Sequence, residues 1–197
     1  MDWDSSYTSG EYRKHWDSSH ASPELVGFIS SLVNQEAMAF LDIGCGSGED
    51  AIYASGVFRS SVGIDISKCA IDLAKEKCNE RKSNAVFRKA DIFSLPFGNS
   101  SFSIAADRGC LHNIPLNDWP SYEREVHRIL GKEGVFLLRG ARKVPSYADN
   151  FSFIEPENVG KFFTPARWDS RGPYKFTMFS DAEDGYLLSN LFVLSKL

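Results

Sequence analysis

Apolar residues fall along the chain in two alternating patterns. Leu25, Phe28, Ile29 and Leu32 recur three and four apart behind Ser22-Pro23. This is a helical stripe with Ser to cap it and Pro to open its first turn. Ala39 to Ile43 is a short apolar run closed by glycines and reads as a buried strand. Asp50 to Ser55 reads as a helix and Ser61 to Asp65 as a second strand. Ser67 then caps a helix carrying Ile71, Ala74 and Cys78 on one face. Ala85–Arg88 and Phe102–Ala106 read as a third and a fourth strand. Tyr122, Val126, Ile129 and Leu130 mark a helix after the Leu116–Pro120 turn, and Val135–Leu138 a fifth strand beyond Gly131 and Gly134. Such alternation predicts a parallel sheet with helices on both faces.

The last third breaks this rhythm. Residues 140–173 are rich in Pro, Gly and aromatics, with one short helix near Glu157–Phe162. Tyr174–Phe179 and Leu191–Leu197 read as two strands joined by the connection Asp181 to Gly185, most simply antiparallel. The fold class is therefore α/β, a seven-stranded sheet that is mostly parallel and ends in an antiparallel C-terminal pair. In such sheets ligands bind at the carboxyl ends of the strands, near the switch in strand order.

The 197 residues suit one domain, divided into an N-terminal segment 1–34, a core 39–139, a cap 140–173 and the terminal pair 174–197. With 43% hydrophobic and 24% charged residues the chain is neither disordered nor fibrous. A net charge of -4 argues against a dedicated nucleic-acid partner. No apolar run reaches the ~20 residues needed to span a bilayer, and the polar, aromatic N-terminus lacks a secretory core, so no membrane association is expected and the reading is cytoplasmic. Cys45, Cys69, Cys78 and Cys110 show neither CxxC nor zinc-finger spacing; free thiols and no metal are expected.

Chemistry concentrates at the strand ends. Leu41-Asp42-Ile43 leads into Gly44-Cys45-Gly46-Ser47-Gly48, three glycines at alternate positions that let a backbone approach a ligand where a Cβ would collide. The dinucleotide pattern GxGxxG fails, because Glu49 stands where its third glycine belongs. A carboxylate there also repels a pyrophosphate. Asp65 ends the second strand, where an acid accepts hydrogen bonds from ribose hydroxyls. Asp91 and Ile92 follow the third strand, a carboxylate and an apolar side chain suited to adenine. Asp107-Arg108-Gly109-Cys110-Leu111-His112 closes the fourth.

The ordered set LDIGCGSG, GIDIS, KADIFSLPF, DRGCLHNIP and REVHRILGKEGVFLL resembles the class I S-adenosylmethionine-dependent methyltransferases over residues 39–139. Trp3, Tyr7, Trp16-Asp17 and Ser22-Pro23-Glu24-Leu25-Val26 resemble the thiopurine- and tellurite-resistance-type small-molecule branch. The Pro-Gly-Gly turn usual before the fifth strand is Gly131-Lys132-Glu133-Gly134 here. The resemblance implies a Rossmann-like, doubly wound fold and S-adenosyl-L-methionine as cofactor. Asp42 and the loop from Gly44 through Cys45 and Gly46 to Gly48 would hold its methionine portion. Asp65 would hold the ribose and Ile66 would pack on the adenine. Asp91 would bind the adenine amine with Ile92 beside it. Asp107 and Arg108 would sit nearest the sulfonium, and Trp16 would cover the cofactor.

The sulfonium is already an activated methyl donor. The protein must chiefly align the acceptor and exclude water, and positioning alone lowers a barrier by roughly 7–11 kcal/mol. Trp16 or Tyr12 would add cation–π attraction. His112 is the candidate general base if the acceptor arrives protonated. Arg139, Arg142 and Lys143 would meet an anionic acceptor, and Tyr147, Phe151, Phe153, Phe162, Phe163 and Trp168 would line an apolar pocket. The function read from this is methyl transfer to a small-molecule O, S or N acceptor. A cofactor-binding partner or sensor module without catalysis is the alternative, and the oligomeric state is left open. Lys75 to Lys82 read as a solvated helix face.

Overall fold

The computed structural model describes residues 2–145, 151–182 and 185–197. Seven strands form one sheet in the order β3-β2-β1-β4-β5-β7-β6. They are β1 (Ala39–Ile43), β2 (Ser60–Asp65), β3 (Val86–Lys89), β4 (Phe102–Arg108), β5 (Leu130–Ala141), β6 (Trp168–Phe179) and β7 (Tyr186–Lys196). The helices are α1 (Trp3–Ser9), α2 (Tyr12–His15), α3 (Pro23–Ser30), α4 (Glu49–Ser55), α5 (Lys68–Glu80), α6 (Trp119–Ile129) and α7 (Pro156–Phe162). The β1–β2, β2–β3 and β4–β5 pairs are parallel, whereas β5 and β7 run antiparallel. This is the Rossmann-like, doubly wound arrangement expected from the alternating pattern. Among the described residues no helix is long and apolar enough to cross a membrane.

The chain divides into two compact units. The first comprises Met1–Asp91 with Met178–Tyr186, and the second Ile92–Thr177 with Leu187–Leu197. In the first, Ala51 from α4, Ile71, Ala74 and Cys78 from α5, and Phe87 from β3 form a buried cluster. Those three α5 residues are the stripe that its spacing predicts. In the second, α6 buries Trp119, Tyr122, Val126 and Ile129, and β5 buries Phe136 and Leu138.

Several local expectations change. β5 runs 12 residues, not four, because it continues through Gly131 and Gly134 and past Arg139. β6 and β7 likewise begin earlier than expected. Helices α1 and α2 occupy a stretch with no clear apolar stripe; α1 starts where the Asp2 side chain accepts the backbone N–H of Ser5. Ser22 precedes α3, as expected, but its side chain does not cap it. Its hydroxyl and backbone N–H donate instead to the two carboxylate oxygens of Asp50, at 2.8 and 2.7 Å.

Candidate functional site

The first unit places a glycine turn at the carboxyl end of β1. Gly44, Gly46 and Gly48 have φ of 67°, 52° and 91°, the left-handed region where other residues are strained. Space restricts two of them further. A Cβ on Gly48 would lie 2.7 Å from the Phe87 ring and 2.9 Å from Ala74 Cβ, so this glycine lets α4 close on its neighbours. A Cβ on Gly46 would lie 2.8 Å from the hydroxyl oxygen of Tyr7. The Cys45 N–H donates to Ile64 O, and the Gly48 N–H to Cys45 O, both at 2.9 Å, which pins the turn to the end of β2.

Asp65 organises this edge. Its carboxylate accepts the backbone N–H of Gly46 at 3.0 Å and that of Ser67 at 2.8 Å, one on each oxygen. Burial raises its pKa above the ordinary carboxylate value, against the pull of the Ser67, Gly46 and Ile66 N–H groups. Ile66 follows it with 52% of its surface exposed, a large apolar side chain presented to solvent. The Ala90 N–H donates to Asp65 O at 3.0 Å, which carries the chain past β3 to an exposed Asp91. Asp42 is buried within β1, opposite Gly63 of β2. A half-buried carboxylate, an adjacent exposed apolar residue and a side-chain-free turn fit an adenosyl ligand carrying a diol.

The N-terminal segment joins this site. Trp16 Nε1 donates to the Tyr7 hydroxyl at 3.2 Å, and the Trp16 ring meets Trp3 edge-on at 5.7 Å. Trp16 thus reaches the turn through Tyr7. Tyr12, expected to face the cofactor, is instead buried and stacks on Tyr7 at 4.7 Å. Burial, with the Asp65 charge second, raises the Tyr7 pKa, so the hydroxyl stays protonated. Asp17 accepts the Ser47 hydroxyl at 2.6 Å, and Asp4 accepts the Ser67 hydroxyl at 2.6 Å and the Cys69 N–H at 3.1 Å. Sequence reasoning missed Tyr7 and Asp17 as residues that grip the turn and Asp4 as one that grips the start of α5. The signal was present in Trp16-Asp17, but the partners lie 30 to 63 positions away.

Glu49 behaves differently from expectation. It accepts Lys77 Nζ at 2.9 Å and is held by both terminal nitrogens of Arg81. Its charge is matched, so the repulsion of a phosphate inferred from sequence is largely cancelled, and α5 is not a wholly solvated face.

The second unit holds the remaining residues of the set. Asp107 is fully buried. Its carboxylate accepts the N–H of Cys110 at 2.7 Å and of Leu111 at 2.9 Å, and the hydroxyl of Tyr122. Gly109, at φ 97°, turns the chain back so that those amides reach it. Burial lifts its pKa to about 6 against the pull of these donors. Asp107 therefore commits three of about four acceptor sites to the strand-end turn and Tyr122. Arg108 is half-buried at the end of β4, in register with Arg139. Arg139, expected to meet an acceptor, is buried and donates from Nε to Asp107 O at 3.2 Å. Ile92 is buried.

His112 is corrected on tautomer grounds. Its Nδ1 accepts the Ala141 N–H at 2.9 Å, so the neutral ring carries its proton on Nε2 and has no lone pair left for a general base. Burial pushes its pKa down to about 4. Of the aromatics assigned to an apolar pocket, Phe153, Phe163 and Trp168 are core, Phe151 and Phe162 are half-buried, and Tyr147 lies outside the described residues. Among the described residues no His, Cys, Asp and Glu cluster can hold a metal ion, and the four cysteines are free.

Comparison with known proteins agrees with this geometry. Residues 40–134 match the methyltransferase domain family. The chain is 33% identical over 99 residues to an uncharacterized methyltransferase of Schizosaccharomyces pombe, across 50% of this chain and 68% of that one. It is 33% identical over 104 residues to the eEF1A lysine and N-terminal methyltransferase of Mus musculus, across 52% of this chain and 15% of that one. It is 26% identical over 194 residues to the 2-heptyl-1-hydroxyquinolin-4(1H)-one methyltransferase of Mycobacteroides abscessus, across 89% and 85%. A solved structure from work on conversion of a disulfide bond into a thioacetal group during echinomycin biosynthesis shares the fold, with a TM-score of 0.80 at 23% identity over 93% of this chain and 85% of that one. With these matches behind the ordered strand-end residues, the chain belongs to the class I S-adenosylmethionine-dependent methyltransferases.

Proposed function

We propose that this methyltransferase acts on a small-molecule acceptor, at O, S or N. The observation that carries the acceptor class is the length of the likeness. The quinolone methyltransferase aligns with 89% of this chain, whereas the eEF1A methyltransferase aligns through 15% of its own length. The N-terminal grip on the glycine turn supports the thiopurine- and tellurite-resistance-type branch. The four free thiols suit a reducing cytoplasm.

In this reading Asp65 accepts from the ribose hydroxyls, and Ile66 packs on the adenine. Asp91 accepts from the adenine amine. The turn from Gly44 to Gly48, with Asp42 beneath it, holds the methionine portion. Tyr7 and Trp16 exclude water over Gly46 and offer aromatic faces to a positive charge. S-adenosylmethionine supplies an electrophilic methyl group. Held there by Asp65, Ile66, Asp91 and the Gly44–Gly48 turn, it would offer that methyl group to a lone pair on the acceptor. His112 moves no proton, so the acceptor reacts as a lone-pair donor or passes its proton to solvent.

Calorimetry with S-adenosylmethionine and S-adenosylhomocysteine tests the cofactor residues, and a thiol, phenol and amine panel with labelled cofactor tests the acceptor class. Asp65→Ala weakens cofactor binding by about 1–3 kcal/mol, the cost of losing charge-assisted hydrogen bonds. Unchanged affinity removes Asp65 from the site. Labelling of protein and not of any small acceptor overturns the acceptor class.

A further inference from the structure

A hydroxyl has one proton to give, so a donor that fills its acceptor side also fixes where that proton points. Ser47 lies in the glycine turn between Gly46 and Gly48 and is buried. Its hydroxyl donates to Asp17 Oδ1 at 2.6 Å and accepts from Lys77 Nζ at 2.9 Å. Lys77 Nζ also donates to Glu49 Oε1 at 2.9 Å and lies 3.8 Å from Asp17 Oδ1. All four residues belong to the first unit. Lys77, on α5, thus holds Glu49 directly and Asp17 chiefly through Ser47.

The two carboxylates depend on Lys77 unequally. Glu49 is also gripped by both terminal nitrogens of Arg81, so it keeps a cation when Lys77 is lost. Asp17 is tied to the turn through Ser47. What Asp17 carries with it is the aromatic cluster. The Trp16 and Asp17 N–H groups both donate to Tyr12 O at 3.1 Å, the Tyr12 ring stacks on Tyr7, and Trp16 Nε1 donates to the Tyr7 hydroxyl. That hydroxyl fills the space beside Gly46 that a Cβ would need. At the other end of the segment Asp4 is tied to Ser67 and Cys69. The N-terminal segment is therefore anchored at both ends, with its aromatic residues against the turn between them.

We infer that Asp17, Ser47 and Lys77 are positioning residues, a latch that holds Tyr7 and Trp16 against the glycine turn and thereby slows release of the adenosyl cofactor. Lys77 acts through Ser47: its N–H occupies the acceptor side of the hydroxyl and directs the proton to Asp17. This rests on the assignment of the turn to S-adenosylmethionine and names what keeps the covering residues in place. Release of product through such a cover sets the turnover of many enzymes.

The test follows release of labelled S-adenosylhomocysteine from the intact chain after a chase with unlabelled ligand. Asp17→Ala and Lys77→Met each raise the dissociation rate about tenfold or more, the scale of one lost charge-assisted hydrogen bond. Lys77→Arg, which keeps a donor for Ser47, restores a rate near that of the wild type. In an Asp17→Ala background Lys77→Met adds no more than about threefold, because both break one latch. Acrylamide quenching of tryptophan fluorescence reads the latch without any ligand. Trp119 and Trp168 are fully buried, so the accessible signal comes from Trp3 and Trp16, and quenching rises in both variants. If the three residues only stabilise the fold, the variants lower the melting temperature and leave release and quenching at wild-type values, which overturns the inference. Rate effects that multiply in the double variant overturn it too. Asp17→Ala truncates a half-buried side chain and decides the matter alone if Lys77→Met fails to fold. A wild type that binds no S-adenosylhomocysteine refutes the cofactor assignment and with it the effect on release, while quenching reports separately whether the latch holds the aromatic residues.

Discussion

His112 and Asp107 titrate abnormally in opposite senses over the same pH range, which makes the stability of this chain a sensitive check on how both are buried. Burial lowers His112 from its ordinary value of 6.5 to about 4. As pH falls from 6.5 to 4 the unfolded chain therefore gains a proton that the folded chain refuses, and folding loses stability. A shift of about 2.5 units at 1.36 kcal/mol each amounts to about 3 kcal/mol, fully developed near pH 4. Asp107 works the other way. Its carboxyl is raised from 3.8 to about 6, so between pH 6 and 4 the folded chain takes a proton that the unfolded chain does not, and folding gains about 3 kcal/mol. In the wild type the two largely offset. His112→Asn should expose the difference, because an Asn Oδ1 stands close to where Nδ1 accepts the Ala141 N–H, and it does not titrate. Urea unfolding from pH 8 to 4 is the assay. The stability of His112→Asn relative to wild type should rise by about 3 kcal/mol between pH 7 and pH 4, with most of the change between 6.5 and 4. Parallel curves for the two proteins would show that His112 protonates freely in the folded state, and both its burial and its fixed tautomer would be refuted.

Two further perturbations address the glycine turn. Gly46→Ala incurs about 1–2 kcal/mol of left-handed backbone strain, plus the collision with the Tyr7 hydroxyl 2.8 Å away. In a Tyr7→Phe background the collision disappears and only the strain remains; an equal loss of stability in both backgrounds, read by urea unfolding, would mean that α1 does not cover the turn. Glu49→Gln leaves Lys77 and Arg81 without their carboxylate. Arg81 is 41% exposed and water screens it, so the expected loss is about 1–3 kcal/mol rather than the larger cost of a fully buried pair. A Glu49→Gln, Lys77→Gln double variant should lose less than the sum of the two singles, and strict additivity in a double-mutant cycle would deny the pairing.

Which features were legible follows from the range of the interactions that make them. The stripe of Ile71, Ala74 and Cys78 and the apolar run 39–43 are local patterns, and both α5 and β1 form where those patterns lie. The seven strands and the terminal antiparallel pair followed from their order. Lengths did not: β5 starts at Leu130 because that residue pairs with Phe102 of β4 before the register resumes at Val135, a contact across the strand that local preference does not announce. Helices α1 and α2 were hidden for a related reason. Their residues bind the turn and α5 through Asp4, Tyr7 and Asp17, and not through a repeating apolar face. The polar side chains Lys77 and Arg81 read as solvent-facing because their partner, Glu49, lies some 30 residues back.

The two strand-end aspartates show where residue type stops informing chemistry. Asp65 and Asp107 close β2 and β4 respectively, and a pattern-based reading gives both to the same ligand. What separates them is burial and the source of the donors: Asp107 is fully buried and Asp65 only half-buried. After Asp65 the chain enters α5 through Ser67, the Ile66 and Ser67 amides come back, and a third arrives from Gly46. After Asp107, Gly109 reverses the chain at once, two successive amides fold onto the carboxylate, and Tyr122 adds a third donor. The same logic predicts that Asp107→Asn, which turns one acceptor into a donor facing an amide, destabilises the second unit without weakening S-adenosylhomocysteine binding, whereas Asp65→Asn weakens binding more than it destabilises. Measuring both variants by urea unfolding and calorimetry separates the roles, and a cofactor affinity that falls tenfold in Asp107→Asn at unchanged stability would return that residue to the ligand.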